Sequence, residues 1–276
     1  MTNHSSTRRM RLAATALGAI AVLAACSSDS KTTASSSSSG SSTSSSSPAS
    51  SGSANSSSSG TALDVGYCTK VAHLFDDSPD TEGKSPEEIK AAYAAYQTGS
   101  AADFTAIEKG APADAKAAAT DLKAALAAIV ATGDENDPAG EIAYAKLVGA
   151  STSGCGWTAQ AITAQDYSYS GVPKELKAGT YVIALKNAGK EPHLFTVGRV
   201  KDGVTKTLDE ILAESTDGPP PDLEDVPGAA FAPPGAEGTG VIELTKPGRY
   251  IYICPIRSPD AILHLVKGMK GEVTVK

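Results

Sequence analysis

The sequence predicts a multidomain chain, with an all-α helical bundle over residues 61–160 followed by an all-β sandwich over residues 163–276. Three observations predict it. Apolar residues in the first part recur at helical spacing between recognisable helix caps. The second part is a series of short alternating runs separated by Pro, Gly and Asn turns. Residues 1–60 carry neither pattern and lie ahead of both.

Residues 1–25 read as an export leader. Arg8, Arg9 and Arg11 form a positive start, and Leu12 to Ala25 is an apolar run too short to span a bilayer permanently. It ends in Leu23-Ala24-Ala25-Cys26, which resembles a bacterial lipobox. That resemblance implies cleavage before Cys26, a lipid on its sulfur and anchorage outside the cell membrane. The Arg8-Arg9 pair points to twin-arginine export, but Arg11 stands where such signals carry an apolar residue. Residues 26–60 are mostly serine and bury nothing that offsets the entropy of ordering them. They form a flexible tether whose mean reach, at roughly 5–6 Å × √n, is a few tens of ångströms.

In residues 61–160, Leu63, Tyr67, Val71 and Leu74 lie on one helical face. Ser85-Pro86-Glu87-Glu88 is a capping box with proline at the first helical position, opening a helix through Tyr96. Ser100 starts a short helix that Gly110 ends. Pro112 to Thr132 is alanine-rich, carries Leu122, Leu126, Ile129 and Val130 on a stripe, and stops at Gly133. A last helix is expected over Pro138 to Val148. Cys68 and Cys155 stand at the ends of this region and are expected to form a disulfide outside the cytoplasm. Pairing of either with Cys254 is the alternative. Fifteen acidic residues against seven lysines make this part strongly acidic. An acidic surface argues against nucleic acid or anionic lipid as partner.

Beyond Thr163, Asp166 to Tyr169 alternates, and Gly179 to Lys186 sets Tyr181, Ile183 and Leu185 on one strand face. Asn187 to Lys190 supplies a turn, and His193 to Val197 follows as a strand. Thr207 to Glu210 caps a short helix, and Asp217 to Gly240 reads as a Pro/Gly-rich loop. Gly240 to Leu244, Arg249 to Cys254 and Gly271 to Lys276 complete the strands.

The chemistry lies in this half. Thiolate, imidazole and thioether are soft donors that select copper over harder metals. Cys254 ends a strand, His264 and Met269 return from the loop after it, and His193 is the other histidine of this half. Met269 is the one methionine outside the leader. If Cys26 is lipidated and Cys68 pairs with Cys155, Cys254 is a lone thiol in an oxidising compartment. Ligation of a metal gives it a role.

These residues resemble a cupredoxin, the blue-copper fold of plastocyanin and azurin. The resemblance rests on Glu191-Pro192-His193 opening a strand, Tyr-Ile-Cys254 ending one, and His264-Leu-Val-Lys-Gly-Met269-Lys-Gly271 leading into the last. Nine residues separate Cys254 from His264, as in the longer nitrite-reductase type of loop. The resemblance covers residues 163–276 and implies a Greek-key sandwich holding one type 1 copper on His193, Cys254, His264 and Met269. It also implies that the His264 edge opens through an apolar patch, here Ile262, Leu263 and Leu265, where electrons enter. Zinc at the same donors, or a fold that has lost its metal, are the competing readings. Zinc prefers four strong ligands, and a thioether is a poor fourth.

The expected function is a membrane-anchored, extracytoplasmic single-electron carrier that works with a redox protein partner. Catalysis is not expected, because copper oxidases and nitrite reductases need further copper sites and this chain has no histidines to supply them. A copper-delivery or storage lipoprotein and a metal-free envelope binding module are the alternatives.

Overall fold

A computed structural model describes residues 62–81, 83–214 and 219–276. The leader, Cys26 and the serine tether lie outside the described residues.

Five helices come first: α1 (Val65–Ala72), α2 (Pro86–Gly99), α3 (Ala101–Gly110), α4 (Lys116–Thr132) and α5 (Ala139–Ser151). Their ends follow local chemistry. The Asp64 carboxylate accepts from the Tyr67 amide, and Ser85 with Glu88 makes the reciprocal capping box. Gly133 closes α4 in the left-handed region at φ 73°, where a Cβ would lie 2.4 Å from the Pro86 carbonyl oxygen. The α4 helix starts at Lys116, because Pro112 to Ala115 forms a separate turn. The expected disulfide is present between Cys68 and Cys155. It closes a loop of 87 residues, worth roughly 4–5 kcal/mol by chain entropy.

Nine strands follow among the described residues, in two sheets. The first holds β1 (Thr158–Gln165), β2 (Ser168–Ser170), β4 (Gly179–Asn187) and β7 (Glu237–Leu244), in the order β2-β1-β4-β7. The second holds β3 (Glu175–Leu176), β5 (His193–Val200), β6 (Leu223–Ala232), β8 (Gly248–Ile253) and β9 (Lys270–Val275), in the order β3-β9-β8-β5-β6. Pairs β1–β4 and β3–β9 are parallel and the other ladders antiparallel. A short helix, α6 (Leu208–Ala213), is capped by Thr207 and Glu210 as expected.

Period-two alternation sorts the side chains. From β4, Tyr181, Ile183 and Leu185 enter the core between the sheets, with Phe195 and Val197 of β5 and Tyr250 of β8. Val182 and Val241 point the other way and join the helical core of Val71, Leu122, Leu147 and Val148. The helices therefore do not close a core of their own. Of the five, α5 packs directly on β7 of the first sheet. Ile251 and Ile253, of opposite parity to Tyr250, pack with Val200, Ile211 and Leu212 beside α6.

Two expectations need correction. The first strand begins at Thr158, ahead of the boundary expected at 163, because it pairs in parallel with β4. The stretch from Asp217 to Gly240 is not a loop throughout, since β6 occupies ten of its residues. Pro227 sits on the outermost strand of its sheet, where no ladder partner needs its missing amide. The register of β6 on β5 shifts between Thr196 and Gly198. Glycines allow β6 and β7 to pass in near contact: a Cβ on Gly240 would lie 1.9 Å from the Ala229 oxygen.

Candidate metal centre

The strand parity that builds the core also builds the centre. Residues 250, 252 and 254 share a face, so Cys254, one step past β8, lands in the core with Tyr250. His193 has the parity of Phe195 and Val197 on the neighbouring β5. His264 comes from the long loop, which is folded back on itself. The His264 amide donates to the Ile256 oxygen at 2.8 Å and the Leu265 amide to the Cys254 oxygen at 3.0 Å. An isolated bridge between Arg257 and Leu263 closes the excursion, and Ala261 takes its left-handed corner at φ 64°. The nine-residue spacer is thus a pinned hairpin-like turn that leaves His264 beside Cys254.

His193, Cys254 and His264 are all fully buried. Their donor atoms lie within 4.8 Å of one another. The two Nδ1 atoms are 3.2 Å apart, and Cys254 Sγ is 3.4 Å from His264 Nδ1. Met269 is fully buried in the same core cluster as Cys254. Its amide donates to the His264 oxygen at 2.9 Å, and its carbonyl accepts from the Cys254 amide at 3.0 Å.

The outer nitrogens face carboxylates. His193 Nε2 is 3.3 Å from Asp166 Oδ1, and His264 Nε2 is 2.8 Å from Glu191 Oε2. Asp166 lies in the turn between β1 and β2, and its carboxylate also accepts from the Lys190 amide at 2.9 Å. The Tyr167 hydroxyl donates to Glu191 Oε1 at 2.7 Å, and its ring meets His264 edge-on at 5.1 Å. Lys267 Nζ lies 4.4 Å from the centre of the Tyr167 ring. Asn187, buried, donates to the Glu191 and Ala232 oxygens at 2.8 and 2.9 Å and so holds the loop before His193.

The sulfur has its own surroundings. The Leu194 amide donates to Cys254 Sγ at 3.4 Å. Tyr169, Phe195 and Tyr252 form an aromatic group, with ring centres 5.2 to 5.8 Å apart. Burial pushes the Cys254 thiol up, against the lowering effect of the Leu194 and Ile256 amides and the Tyr169 hydroxyl. Burial also lowers His193, as does its neighbour His264, with Asp166 opposing. For Asp166 itself burial works upward, but the Lys190 and Glu191 amides and His193 outweigh it, so the carboxyl sits below its ordinary value.

The donor chemistry can be tested for fit. With Nε2–H of each ring donating to its carboxylate, both Nδ1 lone pairs point inward beside the sulfur. Lone pairs crowded at 3.2 Å in a buried space repel one another unless a cation lies among them. Two imidazoles and a thiolate, with a thioether residue buried in the same core cluster, suit a single copper in both oxidation states. The residues fit.

One sequence-derived feature differs. The His264 edge does not open to solvent, because Glu191 and Tyr167 cover its outer nitrogen and ring edge. Of the expected patch, Ile262 is 43% exposed and Leu263 half-buried, while Leu265 packs with the cluster beside α6. Val266, 64% exposed, was not among the expected residues. Sequence reasoning also missed Asp166, Tyr167 and Lys267 as neighbours of the centre. Glu191 was in view only as part of the strand-opening Glu-Pro-His.

No family model matches the chain, and no curated protein matches it. Among solved structures, a dithionite-reduced auracyanin from Roseiflexus castenholzii is 22% identical, covering 43% of this chain and 97% of its own, at a TM-score of 0.29. Auracyanin A, a blue copper protein from Chloroflexus aurantiacus, is 16% identical over 44% of this chain and 99% of its own, at 0.30. A multicopper oxidase from Aquifex aeolicus is 16% identical over 44% of this chain and 30% of its own, at 0.27. On its own geometry, with two sheets enclosing a buried histidine at the start of β5, a cysteine at the end of β8 and a histidine in the loop that follows, the sandwich of residues 158–276 has a cupredoxin-like fold.

Proposed function

We propose that the protein is an extracytoplasmic single-electron carrier, anchored to the cell membrane by lipid on Cys26, in which His193, Cys254, His264 and Met269 would hold one copper. The observation that carries the reading is the convergence of two Nδ1 atoms and one sulfur within 4.8 Å, all fully buried. Bound copper would supply a one-electron couple between Cu(II) and Cu(I). The chain's own part is to hold soft donors in one geometry, so that little rearranges when an electron arrives, and to exclude water.

Two further observations support this reading. The Cys68–Cys155 disulfide suits an oxidising compartment. His73, the remaining histidine among the described residues, is engaged by Asp76 and Glu243. That leaves a single histidine pair for one centre and favours a carrier over an oxidase. The partner is a redox protein. Among the described residues no helix is long and apolar enough to cross a membrane.

The test is a visible absorption spectrum with metal analysis on the full chain in mild detergent. An intense thiolate-to-copper band that cycles with oxidant and reductant, and that vanishes in Cys254→Ser, is the expected result. Stoichiometric copper without such a band, or a band that survives Cys254→Ser, sinks the reading.

A further inference from the structure

Both imidazoles end on a carboxylate, and the chain goes to unusual lengths to arrange this. Residues 166 and 167 are the two-residue turn between Gln165 and Ser168. Tyr167 takes φ 68° there, a conformation in which a bulky side chain is strained. That backbone sends the Asp166 carboxylate to His193 and the Tyr167 hydroxyl to Glu191. On the facing loop, residue 189 has no side chain. A Cβ there would stand 2.3 Å from Asp166 Oδ1 and 2.9 Å from His193 Nε2. One hairpin turn and one loop, set side by side by the parallel pairing of β1 with β4, therefore supply both caps.

A carboxylate on Nε2 does two things. It keeps the hydrogen on the outer nitrogen, so that Nδ1 presents a lone pair inward and the ring cannot turn. It also places a negative charge behind the ring, which makes the inner nitrogen more basic. Two such charges close to a buried centre favour its more highly charged, oxidised state, since the local dielectric screens them weakly.

We propose that Asp166 and Glu191 are the positioning residues of the centre, Asp166 for His193 and Glu191 for His264. They lock both rings with Nδ1 inward and bias the site toward oxidised copper. This rests on the copper reading above and deepens it.

The test uses the full chain in detergent carrying Glu191→Gln, Glu191→Ala, Asp166→Asn or Asp166→Ala, with Glu87→Gln on exposed α2 as a charge control. In Cu(I)-loaded wild-type, nitrogen NMR is expected to show two slowly exchanging Nε2–H signals. Glu191→Gln and Asp166→Asn keep the signals and the visible band but raise the midpoint potential, because a neutral amide oxygen still accepts. Each alanine variant loses slow exchange at its own histidine and releases copper to a chelator about 10–100-fold faster. Glu87→Gln changes none of these. If the amide variants match wild-type in potential and the alanine variants keep both signals and the wild-type release rate, the inference is overturned while the copper reading stands. No thiolate-to-copper band in wild-type overturns the copper reading, and this inference with it.

Discussion

Asp166 Oδ1 stands 3.3 Å from His193 Nε2 across a gap that residue 189 leaves open by being glycine. Gly189→Ala is therefore expected to push the carboxylate away at a cost of roughly 1–3 kcal/mol from overpacking. Chemical denaturation of the metal-free protein measures that cost. A change of the visible spectrum on copper loading should accompany it. An alanine variant as stable as wild-type with the same spectrum would show that the loop simply gives way.

Removing the sulfur should separate ligation from packing. Cys254→Ser is expected to fold, because the site is small and backbone bonds from Cys254 to Met269 and Leu265 remain. It should no longer gain thermal stability from copper, whereas wild-type should gain about 2.7 kcal/mol at a free metal concentration one hundred times the dissociation constant. Melting curves with and without copper provide the comparison.

Met269→Leu keeps the volume of the core and is expected to cost less than about 1.5 kcal/mol. If the thioether belongs to the ligand set, the thiolate band persists while the midpoint potential moves. An unchanged potential would remove Met269 from the ligand set.

Replacing Cys68 and Cys155 with serine is expected to destabilise the chain by roughly 4–5 kcal/mol through the entropy of the released loop. The helices share a core with Val182 and Val241 of the first sheet, so the loss should also appear in the melting of the sandwich. Parallel thermal scans by far-ultraviolet dichroism and by the copper band would reveal the coupling. Independent transitions would refute it.

His73 links the end of α1 to β7, with Nδ1 2.6 Å from Asp76 and Nε2 3.2 Å from Glu243. Its hydrogen bond to Asp76 is the largest cause of a raised pKa, opposed by burial and helped by the charges of Asp76 and Glu243. A raised folded pKa stabilises fully below the unfolded value of about 6.5, and the gain fades as pH rises through the folded value. His73→Asn should therefore destabilise by up to about 1 kcal/mol at pH 5.5 and by less at pH 8.5. Denaturation at the two values decides it, and an equal loss at both would contradict the linkage.

Much of this molecule could be read from local pattern. The Ser85 and Thr207 capping boxes, the Gly133 stop and the alternation of β4 each depend on a few neighbouring residues. The same parity rule that buries Tyr250 buries Cys254, so the sulfur was visible in the sequence as a core residue. Scarcity did the rest, since only two histidines fall in this half of the chain.

What escaped the sequence were pairings between distant segments. The stretch containing Pro227 and Gly228 has loop composition, and only its place as the outer strand against β5 and its close pass over β7 makes it β6. His264 was expected to show an edge to solvent, and Glu191, 73 positions earlier, closes it. Asp166 carries no local mark of a partner either. The sequence by itself determined which side chains are soft donors, which strand faces bury them and where helices start. Those are short-range matters of periodicity and capping. Only the tertiary structure decided that the rings end on carboxylates, because the two-residue turn after β1 meets the glycine loop after β4 through the parallel pairing of those strands, and His264 arrives there from the other sheet.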